Sequence, residues 1–176
     1  GFLFFFVVFF VLGFVVSLWF VFLGLLIPLK GWPIFRDLAL KHANDPRYAF
    51  LHLGQQPQAG LPIAFHPVQA THDRPRAMQE TLEALQVDVA LIWPLCQETF
   101  SFTAYEAAAS GAAILTGPDS GNVAAFVEAT GLGQVLADEA SLQALLETGQ
   151  ALQLAQHIRK PKLADIALSN MTMDLG

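Results

Sequence analysis

Val87-Asp88-Val89-Ala90-Leu91-Ile92-Trp93-Pro94 leads to a run of small residues over 102–110, then Gly111, then Ala112-Ala113-Ile114-Leu115. The first segment is apolar except at Asp88 and ends at proline, which suits a parallel strand covered on both faces. The second has the small-residue content of a helix that packs closely, and it stops at glycine. The third is another short apolar strand. Strand, helix and strand in that order make a parallel crossover unit, and this decides the fold class.

The alternation continues in both directions. Downstream, the pattern predicts a helix over 121–130, a strand over 134–136 and one long helix over 140–156. Upstream, Met78, Leu82 and Leu85 recur at helical spacing within 74–86. Strands are predicted at 63–65, 48–53 and 19–23, with a helix over 33–43 that places Ile34, Leu38 and His42 on one face. Asn44-Asp45-Pro46 ends that helix, because the residue before proline avoids the helical region. Gln55 to Gly60 is a loop. The whole is an α/β fold: a Rossmann-like parallel sheet with helices on both faces.

Charge is distributed unevenly. All 9 basic and 15 acidic residues fall between Lys30 and Gly176, giving a net charge of −6. No basic stripe tracks a phosphate backbone, so a nucleic-acid partner is excluded. One cysteine, Cys96, permits no internal disulfide and fits a reducing compartment. Residues 1–29 carry no charge and exceed the roughly 20 residues that cross a hydrocarbon core, so a transmembrane helix is one reading of this leader. Trp19 and Lys30 would then sit at the interface, and Lys30 and Arg36 would put the remainder on the cytoplasmic side. The other reading makes its last part, 19–23, a buried strand of the following domain. The leader lacks a basic start and a small-residue cleavage site, so it is not a signal peptide. The chain opens on Gly rather than Met, as a fragment would. The expected organisation is a leader at 1–29, a domain at 30–158, and a linker with a short helix near 163–171 in 159–176.

In an open parallel sheet, ligands lie beyond the carboxyl ends of the strands. The loop after Trp93 is the richest of those candidates. It carries Glu98, Ser101, Phe102 and Thr103, and Glu106 follows on the helix. A helix that starts near Ser101 turns its first N–H groups and its positive dipole end toward the loop, where a diphosphate would bind. Taken singly, Glu98 reads as a solvated loop carboxylate and Glu106 as an exposed helix residue. Their spacing after a strand ending in proline, with Phe100 between them and Gly111 beyond, resembles the signature of retaining GT-B glycosyltransferases of the family 4, or group 1, type. Asp119-Ser120-Gly121-Asn122 and Gly131 to Gly133 extend that likeness, which runs from about Phe22 to Leu146.

The resemblance implies the C-terminal, donor-binding half of a two-domain enzyme, whose acceptor-binding half should precede it. Carried over, Glu98 meets the donor sugar, Ser101, Phe102 and Thr103 hold the phosphates, and Glu106 binds the ribose. Gly24 and Lys30 resemble the opening of the same domain, with Lys30 as a cation on the donor phosphates; its other reading is the flank of a membrane helix. The family's second basic residue is replaced by Leu25. The implied activity is transfer of a hexosyl group from a nucleotide-diphosphate sugar with retention, to a glycan, lipid or small-molecule acceptor. No cofactor and no metal are implied, since His72 and Asp73 lack a third ligand at metal spacing. The expected location is cytoplasmic, at the membrane face if the leader spans. Alternatives are a membrane-tethered binding module without catalysis, or another GT-B enzyme such as an epimerase. His52 is expected in the core, His66 at the surface, and Ser120 to Asn122 as a helix cap.

Overall fold

The computed structural model describes residues 17–158. Six strands form one parallel sheet: β1 (Leu18–Leu23), β2 (Tyr48–Gly54), β3 (Ala64–Pro67), β4 (Val89–Leu91), β5 (Ala113–Thr116) and β6 (Gly133–Val135). Their order is β3-β2-β1-β4-β5-β6. The helices are α1 (Trp32–Lys41), α2 (Ala77–Leu85), α3 (Phe102–Ala109), α4 (Asn122–Thr130), α5 (Glu139–Glu147) and α6 (Gln150–Ile158).

The end of the apolar leader is a central strand. β1 runs from Leu18↔Tyr48 to Leu23↔Leu53 along β2 and pairs Phe20 and Val21 with β4 on its other side. A strand covered on both faces must be apolar at successive positions, and Leu18, Phe20, Val21, Phe22 and Leu23 are all buried. A continuous membrane helix over 1–29 is therefore corrected: 18–23 is strand, Gly24 turns, and Pro28–Lys30 is a single 3-10 turn. The sheet thus begins before residue 30. No described helix is long and apolar enough to cross a membrane. Residues 1–16, the linker at 159–162 and the helix expected near 163–171 lie outside the described residues.

Asp88, the one charge in the quoted strand, stands just before β4. It accepts a hydrogen bond at 2.8 Å from Trp19 N–H with its carboxylate, while its carbonyl takes Ala113 N–H at 2.9 Å. It therefore ties β1, β4 and β5 together at their amino ends. The helix expected over 140–156 is two helices. Asp138 caps α5 by accepting from Ser141 N–H at 2.7 Å. Gly149, at φ 78°, then ends it in the left-handed conformation that favours glycine. α2 starts at Ala77 rather than Arg74, because Thr71 and Arg74 close a turn on each other and Pro75 follows.

Candidate functional site

The strand order reverses between β1 and β4, so the crevice in this sheet opens where the β1–α1 and β4–α3 loops diverge. Two loops that separate would leave an open groove, but here they are clasped. Leu95 N–H donates to Leu29 carbonyl at 2.8 Å. Gly31, at φ 85°, passes so close that a Cβ would lie 2.3 Å from Trp93 carbonyl oxygen. Lys30 precedes Gly31 at the end of the 3-10 turn and is held beside the β4–α3 loop by this contact.

A third loop fixes Glu98. Asn122 N–H donates to Glu98 carbonyl at 2.8 Å, and Glu98 N–H reaches Ser120 carbonyl at 3.4 Å. Gly121 lies between them, at φ 63°, where a Cβ would meet Glu98 carbonyl oxygen at 2.8 Å. Buried Ser120 accepts from Thr116 and donates to Gly117 carbonyl, both at 2.8 Å, so the loop after β5 is rigid where it touches Glu98. The Ser120 to Asn122 turn, expected as a cap, offers α4 no side-chain cap and serves this clasp instead. In the sequence Gly31 follows the candidate Lys30, but Gly121 lies far downstream of Glu98, so nothing local signalled the second contact.

Lys30 Nζ donates to Glu98 Oε1 across the crevice. The Lys30 side chain is 50% exposed and that of Glu98 14%, so the lysine end of the pair remains open to solvent. A small cleft, open to solvent, lies beside it, lined also by Phe22, Leu91, Pro94, Ser101 and Thr103. Ser101 caps α3, accepting from Ala104 N–H at 3.4 Å, and its hydroxyl lies 3.0 Å from that of Thr103. Among the described residues nothing accepts from Phe102 or Thr103 N–H. Those two N–H groups and the helix dipole leave a partial positive charge at the cleft. Phe102 is 68% exposed and does not line the cleft, whose lining from this segment is Ser101 and Thr103. Phe100 stacks on Tyr105 at 5.1 Å, and Tyr105 packs against Phe126 at 4.6 Å; these rings anchor the loop onto α3 and α4.

Glu106 is not in the cleft lining. It lies one turn further along α3, half-buried, its carboxylate without a hydrogen-bond partner among the described residues, and burial pushes its carboxyl pKa up. Gly24 turns β1 out of the sheet at φ 96°. His52 is buried as expected and His66 is exposed. Among the described residues no cluster of His, Cys, Asp or Glu could hold a metal ion. The structure therefore brings Lys30, Glu98, Ser101 and Thr103 together at the cleft, whereas Phe102, Glu106 and Gly24 are not among its lining residues.

No family model and no curated protein sequence matches the chain. Solved structures do. WaaG, a glycosyltransferase involved in lipopolysaccharide biosynthesis, is 16% identical with a TM-score of 0.57, over 87% of this chain and 45% of its own. The C-terminal domain of the group 1 glycosyltransferase LpcC from Francisella tularensis is 15% identical with a TM-score of 0.57, over 81% and 80%. The E. coli structure described as trehalose-6-phosphate bound with UDP-2-fluoro glucose is 16% identical with a TM-score of 0.55, over 88% and 41%. The chain spans less than half of the first and third and most of the isolated domain. Its fold is that of the C-terminal half of a GT-B structure.

Proposed function

We propose that this chain, with the fold of a GT-B C-terminal half, is the nucleotide-sugar-binding half of a retaining hexosyltransferase. The observation that carries the reading is the meeting of Lys30 and Glu98 across the crevice, beside the free N–H groups of α3. This combination suits a donor whose diphosphate leaves. Phe102 and Thr103 N–H and Lys30 hold the phosphates, and they oppose the negative charge that develops on the leaving diphosphate. Glu98, released from Lys30 by the incoming phosphate, accepts from sugar hydroxyls. Glu106 supplies a carboxylate for the ribose hydroxyls, which would satisfy its unpartnered oxygens. The E. coli structure with a bound UDP sugar supports a donor of this class. The acceptor is a glycan, lipid or small molecule, bound with the help of a second half.

The test is calorimetric titration with UDP-, GDP- and ADP-sugars. One of them is expected to bind the wild type, and Glu106→Ala is expected to abolish that binding. Unchanged affinity in Glu106→Ala would remove Glu106 from the site.

A further inference from the structure

His52 is a buried titratable residue that the donor-site reading leaves unused. It stands in β2 opposite Phe22 of β1, is 2% exposed, and is ringed by Phe22, Trp32 and Phe65. Its Nε2 lies 2.7 Å from Gly24 carbonyl oxygen. A carbonyl can only accept, so Nε2 carries the proton and the ring donates. The packing makes room for this bond: a Cβ at Gly54 would lie 2.5 Å from His52 Nε2 and 2.6 Å from Gly24 oxygen.

The bond fixes the peptide plane that follows Gly24, next in the chain to Leu23 of the cleft lining. No described peptide bond is cis, so Leu25 N–H points opposite to Gly24 C=O. The carbonyl faces β2 and its histidine. The N–H therefore points away from His52, two residues after Leu23, which lines the cleft. Among the described residues nothing accepts a hydrogen bond from Leu25 N–H. The Leu25 side chain brings no charge to this loop, but its backbone brings a donor.

We infer that His52 is a positioning residue, which holds the Gly24 carbonyl so that Leu25 N–H is presented to the diphosphate of the bound nucleotide sugar. The inference rests on the donor-site reading above and adds a residue and a backbone donor to it. Outside the apolar ring around His52, Gly24 carbonyl could exchange to water and the peptide could turn. Inside it, the histidine is the partner within reach, and a low-dielectric setting strengthens the bond.

Two variants and one wild-type measurement test this, with UDP, GDP and ADP as probes. His52→Leu keeps apolar bulk and loses the donor; His52→Gln keeps a donor nitrogen at similar reach. His52→Leu is expected to bind the preferred diphosphate about tenfold to a hundredfold more weakly, as for loss of a hydrogen bond to a charged group. His52→Gln is expected to restore most of that affinity. In the wild type, the Leu25 amide resonance is expected to move downfield as the diphosphate is added. Equal diphosphate affinity in wild type and His52→Leu overturns the role of His52 and leaves the donor site standing. A Leu25 amide that stays put while the diphosphate binds also overturns it, and this decides the matter if His52→Leu fails to fold. A wild type that binds none of the three diphosphates overturns the donor-site reading, and this inference with it.

Discussion

At Glu106, stability and binding pull in opposite directions. Burial raises the carboxyl pKa above its usual 4.5, so the ionised form is the costly one in the free protein. A group with a raised folded-state pKa of this kind destabilises the fold at neutral pH, and the penalty disappears as pH falls through the raised pKa toward the unfolded value. Glu106→Gln is therefore expected to melt a few degrees higher than wild type at pH 7, with the gain shrinking on acidification; a differential scanning series in pH checks it. Binding needs the ionised acceptor. Wild-type affinity for a nucleotide sugar is expected to weaken as pH falls through the same raised pKa, and proton release on binding should appear as a dependence of enthalpy on buffer. An affinity that stays level through that range would show that Glu106 accepts nothing from the ligand. The family resemblance singled out Glu98 and Glu106, but burial, which gives Glu106 its unpartnered carboxylate, depends on how α3 packs.

The site is built by clasps between loops, and those were legible only as isolated glycines. Gly31 could be read as the stop of a turn, but its contact with Trp93 joins segments about sixty residues apart. Gly31→Ala must tolerate both positive φ and a Cβ inside Trp93 carbonyl, and is expected to cost about 2–4 kcal/mol in denaturant unfolding. A variant as stable as wild type would show that the two loops are not held at this contact. The alternation of strands and helices was plain because buried strands carry unbroken apolar runs. The break between α5 and α6 was less visible, since Thr148 and Gly149 interrupt a pattern that remains amphipathic on both sides. That helical pair is anchored to the sheet by Tyr48, whose hydroxyl donates to Leu146 carbonyl at 2.6 Å. Tyr48→Phe leaves a buried carbonyl without that donor and is expected to cost about 1–2 kcal/mol, measurable in the same unfolding experiment.

Across the molecule, the apolar stretch before Lys30 illustrates where composition alone cannot decide. A central parallel strand and a membrane helix demand the same residues, and only pairing with β2 and β4 distinguishes them at 18–23. Phe20 in that strand is fully buried, with Phe50 at 5.7 Å and Tyr48 edge-on at 5.6 Å. Phe20→Ala is expected to cost about 3–5 kcal/mol, a large share of the stability of a domain this size. A loss below 1 kcal/mol would show that β1 is not in the core. The proposed site for a nucleotide sugar is the crevice where the strand order reverses. Its most direct test is a crystal structure of the protein with the nucleotide sugar that calorimetry finds to bind. The diphosphate is expected within hydrogen-bond distance of Phe102 and Thr103 N–H and of Lys30 Nζ, with the ribose on Glu106. A ligand bound elsewhere on the sheet, or in the crevice with neither Glu98 nor Glu106 touching it, would contradict it.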